Sequence, residues 1–444
     1  MITSNPAPGS DASPARARAQ RLIPGGGHTY SKGDDQFPAN APALIERGAG
    51  CTLWDDQGRA WLDYGMGLRS VILGHAYPPV VEAVQRELLK GSNFTRPSLV
   101  EGEVAEYLCP LLPGAEMIKF AKNGSDVTSA AVRLARAFTG RDRIALCRAN
   151  PFYSFYDWFI GTTPCNSGVP RATSDLSLLF DYNDIASLRR LFDEHPGEIG
   201  CVIIEPVALE LPRENFLQQV IDLAHQHGAV CVFDEMISGF RYHLKGSPGL
   251  YGAVPDLSTW GKALANGFSV AALTGRREIM ALGGLYHDRD RVFLLSTTHG
   301  GETHGLRAAQ ATVQELIRHQ VPDHIGALGR RLRAGLDAAS AAAGLAARVR
   351  VLGYDHSPTI VCLGADGKAD LAARTLMLQE FCRHGILIPY IAISWSHREQ
   401  DIDRTIEVYA RQVAPVLARA AADPAVLASL LIGPAVKPVF RRRN

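Results

Sequence analysis

The chain has 444 residues, 46% hydrophobic and 20% charged, with a formal net charge of +1. That is enough chain for a large core domain and a smaller one, without the charge excess that marks nucleic-acid or anionic-membrane binding. It has no long apolar span and no hydrophobic signal region near Met1, and its eight cysteines form no C-x-x-C pair. A cytoplasmic protein with buried thiols, no metal site, and neither membrane nor nucleic-acid partner is expected.

In chain order, residues 1–20 read as a mobile arm rich in Ala, Pro, Ser and Arg, turning helical at Ala15–Leu22. The turn Pro24-Gly25-Gly26-Gly27 follows. Leu44–Gly48, Leu53–Asp56 and Ala60–Tyr64, with Gln57-Gly58 as a turn, read as short paired strands. From Pro78 to Met280, helical stretches (Pro79–Leu89, Val127–Phe138) alternate with apolar runs (Arg143–Cys147, Gly200–Ile204, Ala229–Phe233). This pattern predicts buried parallel strands, with Val270–Thr274 and Val292–Ser296 as further ones. Helices are expected at Gly305–His319 and Ile325–Ala343, and Arg441–Arg443 as a solvated tail. No internal repeat is seen. The predicted organisation is an arm (1–20), an N-terminal segment of a small domain (21–77), a large domain (78–325) and the remaining small domain (326–444). The fold class is α/β, with a mostly parallel central sheet flanked by helices and a smaller α+β domain.

Three segments carry chemistry. Ala229–Phe233 ends in Asp234, at the edge where open α/β sheets place ligands, although an acid there also serves as a simple turn cap. Lys262 follows 28 residues later in a loop punctuated by Gly261, Asn266 and Gly267. A single loop lysine is more often a snorkelling surface residue. A strand-end carboxylate together with a loop lysine, however, is what pyridoxal phosphate (PLP) requires: an amine for the Schiff base and an anion at the pyridine nitrogen. Lys122-Asn123-Gly124-Ser125-Asp126-Val127-Thr128 opens an amphipathic helix; it suits a phosphate at a helix start, or a plain N-cap.

In this order and spacing the segments resemble the class III (omega) aminotransferases of fold type I, on the branch that includes glutamate-1-semialdehyde aminomutase. Leu53–Gly58, Leu73-Gly74-His75, Ile204-Glu205-Pro206, Asp234–Arg241 and Ser296–Thr303 share in the match, which runs from about Arg21 to about Phe440. The resemblance implies that Lys262 is the Schiff-base lysine and proton shuttle, Asp234 the pyridine partner and Met236 a ring-packing residue. Gly124 and Ser125 would hold the phosphate, Phe152 would stack on the other ring face, and Glu205 would lie near the substrate amine or cofactor hydroxyl. Thr298 would reach the phosphate of a neighbouring subunit, implying a homodimer with shared active sites. For Phe152 and Tyr153 the plainer alternative is core packing, for Glu205 a structural ion pair, and for Thr298 a turn hydroxyl.

Two departures bear on substrate. The segment Gly27–Gly33 offers Lys32 where the aminomutase pattern has a carboxylate-binding arginine, and a lysine lacks the bidentate fork. Tyr153 stands where the family pattern has histidine, within an aromatic run that includes Phe155, Tyr156 and Trp158. Aromatic faces and hydroxyl donors suit a sugar ring, so Lys32, Tyr153, Tyr156 and Trp158 are candidate substrate residues. The expected function is amino transfer from an amino-acid donor to an oxidised sugar, such as an aminoglycoside intermediate in antibiotic biosynthesis. Alternatives are an aminomutase (glutamate-1-semialdehyde 2,1-aminomutase included), an epimerase or an elimination enzyme on an amino sugar. A PLP-binding regulator without turnover is disfavoured, since the termini leave no room for a DNA-binding module.

Overall fold

The turn after Leu53-Trp54 is built around one buried carboxylate. Asp55 Oδ1 accepts the N–H groups of Gln57 (3.1 Å) and Arg59 (2.8 Å), and Oδ2 accepts Arg59 Nε (2.7 Å) and Trp61 Nε1 (3.0 Å). Gly58 supplies the positive φ (+77°) that the reversal needs. In the computed structural model, which describes residues 14–150, 152–207 and 209–443, this turn joins β2 (Thr52–Asp55) to β3 (Ala60–Asp63). β1 (Ile45–Ala49) lies antiparallel on the other side of β2, and Ile386–Leu387 pairs parallel with β3. Leu53, Trp61, Cys382 and Leu387 pack as one apolar cluster. No helix among the described residues is long and apolar enough to cross a membrane.

The chain divides into two compact units. The first holds the described residues up to Leu68, with Leu73–Tyr77 and Asp323–Arg441; the second holds Arg69–Ile72 and Pro78–Pro322, with Arg442 and Arg443. Residues 1–13 of the expected arm lie outside the described residues, while Pro14–Leu22 is helical. Arg441, expected in a solvated tail, instead pairs with Asp35 at 2.6 Å, because the chain end returns to the N-terminal segment.

The first unit buries a neutral histidine. His397 Nδ1 accepts the Ser394 N–H at 3.1 Å and lies 2.9 Å from the Ser394 hydroxyl, while its ring packs 5.0 Å from that of Tyr64. Burial pulls its pKa from 6.5 to about 4. The folded state therefore refuses a proton that the unfolded chain takes up below about pH 6.5, so this stability is full above pH 6.5 and is lost as pH falls towards 4. We expect the stability advantage of wild type over His397→Gln to shrink by about 2–3 kcal/mol between pH 7 and pH 4.5. Urea midpoints of the two proteins at both pH values measure it. A constant difference would sink the idea.

The second unit is built on a seven-stranded sheet: β4 (Met117–Ala121), β5 (Arg143–Cys147), β6 (Ser177–Phe180), β7 (Ile199–Ile204), β8 (Val230–Asp234), β9 (Leu257–Trp260) and β10 (Ala271–Gly275). The order is β4-β10-β9-β8-β7-β5-β6, and β10 alone runs against the others. Every residue of β7 and β8 is buried, which is why both read as unbroken apolar runs rather than alternating ones. Val292–Ser296 does not form the expected strand. Its carbonyls serve a side chain instead: Arg133 Nη1 donates to Phe293 O (2.7 Å) and Leu294 O (3.3 Å). Helices occupy Thr303–Arg318 and Val321–Ala342.

Candidate active site

Parallel strands in register release their last side chains together. Ile204 pairs with Phe233, so Glu205, just past β7, and Asp234, the last residue of β8, emerge as neighbours at the carboxyl edge of the sheet. Both are buried. Asp234 Oδ1 accepts the Met236 N–H and the Thr259 hydroxyl, each at 3.0 Å. Burial pushes the Asp234 pKa up, against the charge of Lys262 and these two donors. The adjacent acid, Glu235, faces other partners: the hydroxyls of Ser238 and Ser247 and the Ser247 N–H all serve it. Strand alternation thus gives one acid to the site and the other to the scaffold.

Lys262 sits two residues beyond β9, in the short turn Lys262–Ala265. Its φ of +44° lies in the left-handed region, at a cost of roughly 1–2 kcal/mol for a residue with a Cβ. Burial lowers its amine pKa, opposed by the charges of Asp234 and Glu205. The strand leading to it is pinned at its start by Asp256, which accepts Cys231 N–H (2.8 Å), Arg276 Nη1 (2.7 Å) and a contact from His225 Nε2 (2.9 Å).

Met236 ties the three sequence signals into one place. A Cβ on Gly124 would lie 2.8 Å from Met236 Cε, and one on Gly261 would collide with the same atom. The methionine side chain thus packs against the backbone of both glycines. Gly124 begins the helix Gly124–Thr139, whose first N–H groups and dipole suit an anion. Ser125 is buried there, and its Oγ accepts the Phe155 N–H at 3.1 Å, which leaves the hydroxyl proton to donate.

The aromatic segment divides into a buried and an exposed part. Tyr153 and Trp158 are buried; Trp158 Nε1 donates to Ser129 Oγ at 2.9 Å. Phe152 is 49% exposed and meets Phe159 edge-on at 5.8 Å. Phe155 and Tyr156 are both exposed and stack at 4.6 Å, and the Tyr156 hydroxyl donates to Asp126 Oδ1 at 3.4 Å. Tyr156 and Trp158 line a pocket with Asp126, Ser129 and Arg133.

The structure thus gathers Gly124, Ser125, Glu205, Asp234, Met236 and Lys262. The carbonyl of Thr298 accepts Asn93 Nδ2 at 3.0 Å, and no hydrogen bond among the described residues joins it to the Lys262 cluster. Lys32 lies in the turn Tyr30–Lys32 of the first unit. Sequence reasoning missed Thr259 and Asn150. Thr259 precedes Lys262 on β9, and its two-residue alternation with Leu257 was the available signal. Asn150, which donates to Glu205 at 3.1 Å, gave none, because its partner lies 55 residues away.

The family model described as Aminotransferase class-III matches residues 34–389. Glutamate-1-semialdehyde 2,1-aminomutase of Nitrosomonas europaea is 31% identical over 422 residues, covering 88% of this chain and 94% of that protein. Among solved structures, an omega-transaminase from Sphaerobacter thermophilus superposes with a TM-score of 0.83 at 28% identity, over 93% of this chain and 98% of that one. The PLP internal aldimine form of the FumI protein from Sphingopyxis sp. MTA144 gives the same TM-score at 27% identity, with the same coverage. The chain belongs to the class III aminotransferases, a family of PLP-dependent enzymes of fold type I.

The residues present fit that cofactor. Burial holds the pKa of the Lys262 amine below its ordinary value, and Asp234 accepts both of its hydrogen bonds on Oδ1, so that Oδ2 is available to a ring N–H. A Cβ-free helix start at Gly124, with the Ser125 hydroxyl, is ready for the phosphate.

Proposed function

We propose that this enzyme moves an amino group from an amino-acid donor to the aldehyde or ketone of an oxidised sugar. The observation that carries this reading is the aromatic segment beside the Gly124 helix, where Phe152, Phe155 and Tyr156 are exposed and the Phe155 N–H donates to Ser125 Oγ. Exposed aromatic faces beside the Asp126 carboxylate, which accepts the Tyr156 hydroxyl, match a hydroxylated, amine-bearing ring better than a small dicarboxylate-derived chain. The lack of an arginine in Gly27–Gly33 supports the same choice. A second reading, aminomutase chemistry on glutamate 1-semialdehyde, is favoured by the name carried by the Nitrosomonas relative. Epimerisation or elimination on an amino sugar would begin with the same proton removal.

Bound pyridoxal phosphate supplies the electron sink that makes the substrate's carbon-bound proton acidic. In our reading Lys262 Nζ would hold the cofactor and would take and return that proton. Burial serves this role, because a base must be neutral to accept a proton. Asp234 Oδ2 would hold the proton of the ring nitrogen. The N–H groups at Gly124 and Ser125, with the Ser125 hydroxyl, would bind the phosphate; Met236 would pack on one ring face and Phe152 would offer its exposed ring to the other. Glu205 would stand beside the substrate amine or the cofactor hydroxyl. We further propose a homodimer in which Thr298 completes the neighbouring subunit's phosphate site. All eight cysteines are free of disulfides, which supports a reducing, cytoplasmic setting.

The test mixes PLP-loaded protein with a panel of amino-acid donors, without acceptor, and follows the cofactor's visible absorption. Bleaching with release of the matching oxo acid is expected for glutamate or glutamine. A band stable to every donor, but perturbed by amino sugars, would overturn amino transfer in favour of epimerisation or elimination. Bleaching followed by acceptance of glutamate-derived aldehydes but no oxidised sugar would move the assignment to the aminomutase.

A further inference from the structure

Behind Glu205 lies a closed ring of buried hydrogen bonds that the proposed chemistry does not use. The Glu205 N–H donates to the Tyr153 hydroxyl at 3.3 Å. The single hydroxyl proton of Tyr153 goes to Asn150 Oδ1 at 2.5 Å, with Ile203 O further off at 3.4 Å. This donation fixes the Asn150 amide, so the group it turns to Glu205 is its Nδ2, which donates to Oε2 at 3.1 Å. All three side chains are buried: Tyr153 at 2%, Asn150 at 5% and Glu205 at 7% exposure.

Resting on the reading above, we propose that Asn150 and Tyr153 are positioning residues that clamp Glu205 by Oε2, leaving Oε1 to exchange a proton with bound substrate or cofactor. A free buried carboxylate would be twofold ambiguous, able to carry its proton on either oxygen. Here one oxygen is committed to an amide N–H, and that amide is itself held by a phenol. Neither partner titrates in the working range: an amide N–H does not ionise near neutral pH, and burial drives the Tyr153 pKa far upward. Glu205 is thus the titrating member of the ring.

The charged and titratable groups that face it decide where it titrates. Burial and the charge of Asp234 on β8 push its pKa up to about 7, while Lys262 beyond β9, the Asn150 N–H and Arg69 pull down. The Cys147 thiol at the end of β5, pushed up to about 12 by burial, stays neutral there. Asn150 is the non-ionic contributor to this balance, so its replacement alters the balance without adding or removing a charge.

The experiment is a pH titration of the visible absorption of PLP-loaded protein without substrate, alongside the pH profile of kcat/KM with the best donor. Wild type is compared with Asn150→Leu and Tyr153→Phe, and the transition belonging to Glu205 is identified by its loss in Glu205→Gln. In Asn150→Leu the transition should rise by about one pH unit, because a donor that favours the anion is gone. In Tyr153→Phe it should rise by less, since the freed amide turns only part of the time. Packing residues alone would lower thermal stability and leave the transition in place, so an unmoved transition in a folded variant overturns the proposal. Should Asn150→Leu fail to fold, Tyr153→Phe decides, because it keeps the ring volume. Absence of any Glu205-dependent transition in wild type also overturns it. Lys262→Ala separates the two levels: if that variant keeps the cofactor's band and turnover, the functional reading fails, whereas if it loses them and the transition stays fixed, only the clamp fails.

Discussion

Lys262→Ala is expected to lose turnover by about 10⁴-fold or more, and with it the visible absorption that depends on the lysine. Two effects add. On the proposed roles, the amine that would anchor the cofactor is gone, and so is the base that would move the substrate proton. The fold should survive. Alanine fills less of a buried site, but it also leaves unpaired neither of the two bonds that hold Asp234, which come from Met236 and Thr259. It removes the cation that offsets Asp234 and Glu205, so both carboxyl groups move upward in pKa, since Lys262 lowers each of them. Thermal melting and far-UV circular dichroism, read beside kcat, separate loss of chemistry from loss of structure. Unchanged activity in the variant would refute the central assignment.

Asp234→Asn is the second large effect: kcat should fall by about 10²–10³-fold with little change in shape. The amide oxygen can keep the Met236 N–H and the Thr259 hydroxyl, so the end of β8 retains its bonds. On the proposed role, it loses the negative charge that would stabilise a protonated pyridine nitrogen, and it turns an N–H towards the place of that proton. The variant should also shift pH behaviour in a direction opposite to that of Asn150→Leu. Asp234 raises the pKa of Glu205, so removing its charge lets Glu205 fall below about 7. The pH profile of kcat/KM measures this. An acid limb that stays put or moves upward would show that Asp234 does not act on Glu205.

Much of this site was legible before any coordinates, for a physical reason. β7 and β8 are buried on both faces, so their sequences are unbroken apolar runs whose ends are marked by the first acids, Glu205 and Asp234. Gly124 and Gly261 are visible as glycines, although the packing of Met236 between the two is not. Val292–Ser296 misled because an apolar, β-branched start resembles a strand, while its backbone is claimed by Arg133 from a helix more than 150 residues earlier.

The choice between Asp234 and Glu235 shows the same boundary. Adjacent acids look alike in sequence, and only the serines brought against Glu235 reveal that it belongs to the scaffold. Asn150 and Tyr153 are harder still, since their meaning lies in bonds to a strand about fifty residues away. By itself the sequence determined the family, the α/β class and the cofactor, and marked Lys262 and Asp234 as candidates, because these rest on local composition and on the order of segments. The tertiary structure alone decided which buried polar groups face each other, because hydrogen bonds between distant segments depend on register and packing and leave no local trace.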